Sequence, residues 1–363
     1  MKLSPALQPY RVIRHGSSTY PVYVGVGLLA SAGWIVTDLR PRSRKFVVTT
    51  DKGREVFESR LRESFEVNVD WITMEDGEAS KTFETAGKIV SALIEADAKR
   101  DSVVVAVGGG VAGDTAGFAA AIVLRGIDLV QVPTTLLAQV DSSIGGKVGV
   151  NHAGGKNLVG AFHPPIAVIA DTGALGTLPR NELLSGVFES LKGGVIGDPE
   201  LFDLLEGSHN DVLRCESSVM ETLVRRSIDL KASIVEEDER EGDRRRILNY
   251  GHTIGHGIEA ALHYEGLTHG EAVAWGMIAA NAIGRRRGVL SRETSSRIDS
   301  AIQRYEPRPI PPLDREEVLH AVSRDKKFAE GKQVMILARE IGLCEIVSDI
   351  TTDELRLGVE SIT

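Results

Sequence analysis

Aromatic residues are scarce in this chain, at 5% of 363 positions. That argues against the stacking platforms on which single-stranded nucleic acids are held. Basic charge is not in excess: 42 Lys and Arg stand against 51 Asp and Glu, a net charge of −9, where a nucleic-acid binder is expected to show a basic face. The only two cysteines, Cys215 and Cys344, lie far apart in sequence and make no disulfide framework, which fits a reducing compartment. No stretch reaches roughly 18 consecutive apolar residues, so no membrane-spanning helix is expected. The opening MKLSPALQPYRVIRHG lacks the apolar stretch of a secretory signal. The chain is therefore expected to be cytoplasmic, with neither nucleic acid nor membrane as partner.

What is present is an ordinary globular composition, 42% hydrophobic and 26% charged. At about 150 residues per domain the length predicts two domains. Short β-branched runs recur at 20–27, 45–50, 67–74, 102–107, 129–132 and 166–170, and the stretch 82–99 between them has helical spacing. This alternation predicts an α/β domain over 1–180 with a mostly parallel sheet. From 181 to 363 nearly every segment reads as helix, apart from a late hairpin in 332–347 and a proline-rich loop at 305–314. The second domain is thus expected to be mainly α-helical.

The run VVVAVGGGVAGDTAGF places Gly108, Gly110 and Gly113 in a G-x-G-x-x-G pattern between a strand and a helix. Such glycines let backbone approach a pyrophosphate at a helix N-terminus. The same pattern is also compatible with a tight turn that binds nothing. Asp128, about twenty residues on, precedes a strand and so belongs at the wrong edge for a ribose contact; Asp51, at the carboxyl end of KFVVTT, is the better candidate.

Four of the nine histidines fall between 252 and 269, and three of them, His252, His256 and His269, are the metal-ligand candidates. His252 and His256 are spaced i, i+4 and share a helix face; His269 opens another helix. Neutral imidazoles with one carboxylate suit Zn²⁺. Thr253 follows His252 where a zinc-protease helix needs Glu. Glu189 and Lys192 in ESLK also share a helix face, so one can bind metal and the other an anion. The segment 125–163 reads as loops carrying Arg125, Asp141, Lys147, Lys156 and Asn157 among glycines, and lysine beside glycine suits phosphate. In the charge run 236–246 most members read as solvated, with Arg245 as the exception because it lies close before His252.

Taken in order, GGGVAGDTAGF, RGIDLVQVPTTLLAQVDSSIGGKVGVN, GGKNLVGAFHPP, FESLKGG, LNYGHTIGHGIEA and HGEAVAWGM resemble the 3-dehydroquinate synthase family, within the sugar-phosphate cyclases, over roughly 76–325. The resemblance implies a Rossmann-like N-terminal domain, a helical C-terminal domain and a homodimer. It implies a lyase that uses bound NAD⁺ and one divalent metal, Zn²⁺ or Co²⁺. The substrate would be 3-deoxy-D-arabino-heptulosonate 7-phosphate, converted to 3-dehydroquinate and phosphate, a step of the shikimate pathway.

Carried over by motif, the metal ligands would be Glu189, His252 and His269, with His256 facing substrate phosphate and assisting proton transfer. NAD⁺ contacts would come from Asp76, Gly77, Glu78 and Lys81, from the turn Gly108, Gly109, Gly110, Val111, Gly113 and Asp114, and from Thr134 and Thr135, with Lys147 and Lys156 nearby and Asp51 on the ribose. Substrate contacts would come from Arg125, Asp141, Lys147, Asn157, Lys192, Lys231, Arg245 and Asn249, with Lys326 or Lys327. Phe188 and Ser190 flank Glu189 where alanine and valine are usual in the family, and Gly193-Gly194 follows where bulkier residues are common. The rival readings are a sister cyclase of the amino-dehydroquinate or 2-deoxy-scyllo-inosose type, a metal-dependent polyol dehydrogenase, and a non-catalytic nucleotide-binding scaffold.

Overall fold

The structure, a computed structural model, describes residues 7–363 except 17, 66–68, 239–241, 243, 325–327 and 330–331. The chain divides into two compact units, Met1–Leu178 and Pro179–Thr363.

The first unit runs β1 (Arg11–His15), β2 (Ser18–Gly25), α1 (Ala32–Leu39), β3 (Lys45–Thr50), α2 (Asp51–Ser64), β4 (Asp70–Met74), α3 (Phe83–Glu95), β5 (Val103–Gly108), α4 (Gly110–Ile122), β6 (Asp128–Pro133), β7 (Lys147–His152), β8 (Gly155–Phe162) and β9 (Ala167–Asp171). Seven strands form one sheet in the order β1-β2-β9-β6-β5-β3-β4. All neighbours are parallel except β1 and β2. The central strands are covered on both faces, which is why they read as unbroken apolar runs. Along β5, Val103, Val105 and Val107 enter one core with Phe57 and Leu61 of α2, while Val104 and Ala106 enter the other with Ile89 of α3 and Ala116 of α4. This is the period-2 alternation of a strand.

Every β-branched run read from the sequence falls on a strand of this sheet, residues 67 and 68 of the run 67–74 lying outside the described residues. The stretch 82–99 forms α3, whose N-cap Thr82 accepts a hydrogen bond from the Thr85 amide at 3.1 Å. Two features differ from expectation. β1 was not anticipated. The segment 125–163, expected to be loops, contains the antiparallel hairpin β7–β8. Its sequence hides the pairing because Gly149 and Gly160 face each other across the strands. A Cβ on either would come within 2.6 Å of a backbone oxygen on the partner strand, and glycine-rich strands carry weak β signals.

The second unit comprises α5 (Arg180–Gly197), α6 (Pro199–Gly207), α7 (His209–Leu213), α8 (Ser217–Glu237), α9 (His252–Ala261), α10 (His269–Arg287), α11 (Arg292–Arg304) and α12 (Arg315–Arg324). It continues through β10 (Phe328–Ala329), β11 (Lys332–Glu340), β12 (Leu343–Ile350) and α13 (Thr352–Glu360). β11 and β12 form the expected late hairpin, and 305–314 carries no regular element.

Close approach of α5, α9 and α10 defines this unit. A Cβ on Gly276 would lie 1.9 Å from the Gly251 oxygen, and one on Gly270 would lie 2.1 Å from the Ser185 oxygen. Gly194 brings α6 onto α5 in the same way, its Cβ position falling 2.8 Å from Phe202. Gly194, the second of the glycines after Lys192, therefore has a packing role.

Candidate active site

In the first unit, α2 packs on one face of the sheet and α3 and α4 on the other. The helices change side between the adjacent strands β3 and β5, and the crevice at such a switch point is where open α/β sheets bind ligands. The carboxyl ends of β4, β3, β5 and β6 lie side by side. They carry in turn Asp76, Asp51, the turn Gly108–Gly110, and Thr134 with Thr135.

Gly108 has φ +151°, a conformation that L side chains rarely adopt. The N-cap of α4 is Gly109, which offers no side-chain cap, and the first turn holds no acidic residue. The N–H groups and positive dipole end are thereby left for an anion. Side chains would fill this cradle: a Cβ at Gly109 would meet Thr135 at 2.9 Å, and one at Gly110 would meet Ser142 at 3.1 Å. Gly113 has a different task, since its Cβ would lie 2.7 Å from Gln131 Oε1 of β6. Thr134 closes the turn by donating its amide to the Gly108 oxygen at 2.9 Å.

Beside the turn, buried Lys81 donates from Nζ to Asp114 Oδ2 and to Asn157 Oδ1, each at 2.6 Å. Asn157, at φ +54°, is held by its amide on Asn151 Oδ1 at 2.9 Å, and Asn151 Nδ2 donates to Glu78 Oε1 at 2.8 Å. Four residues picked from sequence, Glu78, Lys81, Asp114 and Asn157, thus meet in one network. Asn151, which completes it, carried no sequence signal. Asp76 Oδ2 accepts from the Lys52 amide at 3.1 Å, so it meets the start of α2.

Not every residue picked from sequence joins this row. Lys147 starts β7, opposite Phe162, whereas Lys156 lies by the tight turn that pairs His152 with Gly155. They stand at opposite ends of the hairpin, roughly 15 Å apart along it. Arg125, at φ +70°, follows α4 and precedes β6. It therefore belongs to the amino edge of the sheet, about 20 Å along the helix from the glycine turn. Asp128 lies at that edge too, paired with Arg40. Asp141 sits in a single π-turn, Ala138–Ser142, a distortion frequent at functional sites. The loop after it is clamped at Gly145, whose oxygen contacts His15 Nε2 at 3.2 Å and whose amide donates to Tyr20 Oη at 3.3 Å. His15 and Tyr20 come from β1 and β2, and nothing in the sequence linked them to this loop.

In the second unit, Glu189 and Lys192 lie one turn apart on α5 and form a buried ion pair through Glu189 Oε2. The other oxygen, Oε1, is buried without a hydrogen-bond partner. It faces His252 Nε2 and His269 Nε2, each at 3.6 Å. The remaining ring nitrogens point to acceptors: His252 Nδ1 lies 3.2 Å from the Tyr250 oxygen, and His269 Nδ1 lies 3.3 Å from Glu259 Oε2. Burial first, then the charges of Lys192, His256 and His269, push the His252 pKa well below 6.5. The neutral imidazole this favours is the form that binds metal.

His256, the exposed member, has a ring centroid 5.2 Å from that of His252. Ligand atoms of His252, His256 and His269 all lie within 4.8 Å of one another, so proximity alone admits an all-histidine set. The unpartnered buried Glu189 Oε1 favours Glu189 over exposed His256. Lys231 on α8 is buried one turn beyond Ser227, which touches Ser190 of α5 at 3.5 Å. Arg245 is buried with its amide on Asp238 Oδ2 at 3.0 Å, and Asn249 ends the same short helix. Lys326 and Lys327 lie outside the described residues. Glu259 was missed, although its place seven residues after His252 on one helix face was readable.

Family models described as 3-dehydroquinate synthase N-terminal and C-terminal match residues 71–185 and 186–328. A 3-dehydroquinate synthase from Koribacter versatilis is 42% identical over 95% of this chain and 96% of its own. Among solved structures, a 2-deoxy-scyllo-inosose synthase complexed with carbaglucose-6-phosphate, NAD⁺ and Co²⁺ superposes with TM-score 0.88 at 28% identity, covering 97% of this chain and 100% of that one. ValA, the 2-epi-5-epi-valiolone synthase of Streptomyces hygroscopicus subsp. jinggangensis 5008 with NAD⁺ and Zn²⁺ bound, gives 0.87 at 29%, covering 97% and 99%.

Proposed function

The chain belongs to the 3-dehydroquinate synthase family, and on that premise we propose how its residues divide the work of converting 3-deoxy-D-arabino-heptulosonate 7-phosphate into 3-dehydroquinate and phosphate. The observation that carries the reading is the buried, unpartnered Glu189 Oε1 facing the Nε2 atoms of His252 and His269. Two imidazoles and a carboxylate fit one Zn²⁺ or Co²⁺ ion. The uncapped α4 N-terminus, with its side-chain-free cradle, fits the pyrophosphate of NAD⁺. The first unit is then the NAD-binding domain and the second the metal-binding one.

Bound NAD⁺ supplies a reversible hydride acceptor and the bound metal a Lewis acid, so the overall reaction leaves no net oxidation. The chain's own residues bind and orient. Glu78, Lys81 and Asp114 hold the cofactor side of the first unit, with Asp51 on the ribose. Lys192, Lys231 and Arg245 supply buried cations for carboxylate and phosphate, assisted by Asn249. His256, on the His252 face of α9 but exposed, meets the substrate phosphate and assists proton movement. Asp141, Lys147 and Asn157 complete the substrate contacts.

Arg125, at the far edge of its own sheet, reaches a second copy's site in a homodimer. Equal mixing of an Arg125→Ala chain with a chain inactivated elsewhere tests this, since restored activity requires exchange between copies.

The deciding experiment supplies the purified protein, NAD⁺ and zinc with the heptulosonate phosphate. Phosphate release without accumulating NADH is expected. Release only from a hexose 6-phosphate would favour a sister cyclase, and net NADH a polyol dehydrogenase.

A further inference from the structure

α9 presents a third polar residue on the face that carries His252 and His256. Glu259 follows at i+7, is 5% exposed, and places Oε2 3.3 Å from His269 Nδ1. The opposite nitrogen of that ring, Nε2, faces Glu189 Oε1 at 3.6 Å. One imidazole is therefore held between two buried carboxylates on different helices.

A neutral imidazole has one N–H and one lone pair, and an ionised carboxylate only accepts. A proton on Nε2 would leave the Nδ1 lone pair facing Glu259, which is repulsive. A proton on Nδ1 satisfies Glu259 and turns the Nε2 lone pair toward Glu189. His252 has the same arrangement with a weaker acceptor, the Tyr250 carbonyl. The two rings thus present matching nitrogens, but only His269 has an anion behind it, which makes it the more basic donor.

We propose that Glu259 is a positioning residue: it fixes the His269 tautomer and strengthens His269 as a metal ligand. The proposal rests on the metal-site reading above. Glutamine at 259 preserves shape, removes the charge and can turn its NH₂ toward Nδ1, selecting the wrong tautomer. Alanine removes the contact.

The test measures zinc affinity of metal-free wild type, E259Q and E259A by competition with a chromophoric chelator, alongside thermal unfolding of each metal-free protein. Affinity is expected to fall about tenfold in E259Q and towards a hundredfold in E259A, with the metal-free E259Q protein unfolding as wild type does. Should E259A fail to fold, E259Q decides alone. E259Q binding zinc as tightly as wild type overturns the role of Glu259 while leaving the metal site standing. Wild type taking up no zinc, or H269A holding it as tightly, overturns the metal site and this inference together.

Discussion

Lys192 rests its ammonium on Glu189 Oε2, one helical turn away on α5, with the two side chains only 4% and 2% exposed. The pair divides the carboxylate: one oxygen is neutralised by lysine, and the other faces two histidines.

Breaking that pair from either side leaves a buried charge uncompensated. In metal-free protein, Glu189→Gln and Lys192→Met should each lose about 3–5 kcal/mol of unfolding free energy. The double variant should recover most of it, because no buried charge is left behind. Urea unfolding in the presence of chelator measures all three. A single variant as stable as wild type would show that the pair contributes nothing.

The choice between Glu189 and His256 as third ligand has a direct readout. Zinc retained after gel filtration should be stoichiometric in wild type and His256→Ala, and absent from Glu189→Gln and His269→Ala. Zinc lost from His256→Ala and His269→Ala but retained by Glu189→Gln would establish the all-histidine set.

Two glycines of α4 separate binding from packing. Gly110 borders the anion cradle, whereas Gly117 faces Val148, where a Cβ would sit 2.4 Å from Cγ1. Gly110→Ala should weaken NAD⁺ binding at least tenfold with little change in melting temperature. Gly117→Ala should cost about 1–3 kcal/mol through overpacking and leave affinity for NAD⁺ in the folded protein nearly unchanged. Calorimetric titration and thermal unfolding would read the two effects.

Acid stability should depend on Glu354. Hydrogen bonds from Arg287, chiefly, and from Thr351 hold its pKa down to about 2, against an ordinary 4.5. A depressed folded-state pKa gives stability that is present above the ordinary value and lost as pH falls through the folded one. Wild type should therefore lose about 1–3 kcal/mol between pH 4.5 and 2 from this group. Glu354→Gln should flatten that part of the stability curve, as followed by urea midpoints across the range.

Much of the fold was legible because its signals are local. Runs such as KFVVTT and SVVVAV are buried on both faces, and their composition says so. The glycine turn declares itself by lying between a strand and a helix. β7–β8 was hidden because Gly149 and Gly160 achieve their pairing by lacking side chains, and glycines interrupting the few valines of these strands make them resemble loops.

Two motifs of the proposed chemistry are readable from spacing: the glycine turn opening α4, and the i, i+4 spacing that puts His252 and His256 on one face. Both follow from backbone periodicity within a few residues. Spacing does not bring these residues together: the fold carries Glu189, which the family resemblance groups with His252 and His269, to those rings, puts Glu259 behind the second of them, joins Lys81 to Asp114 and Asn157, and leaves Arg125 apart. These contacts join segments far apart in the chain. Those of Glu189 exist because Gly276 and Gly270 let α5, α9 and α10 approach to distances that a single methyl group would forbid, and spacing along the sequence carries no record of that approach.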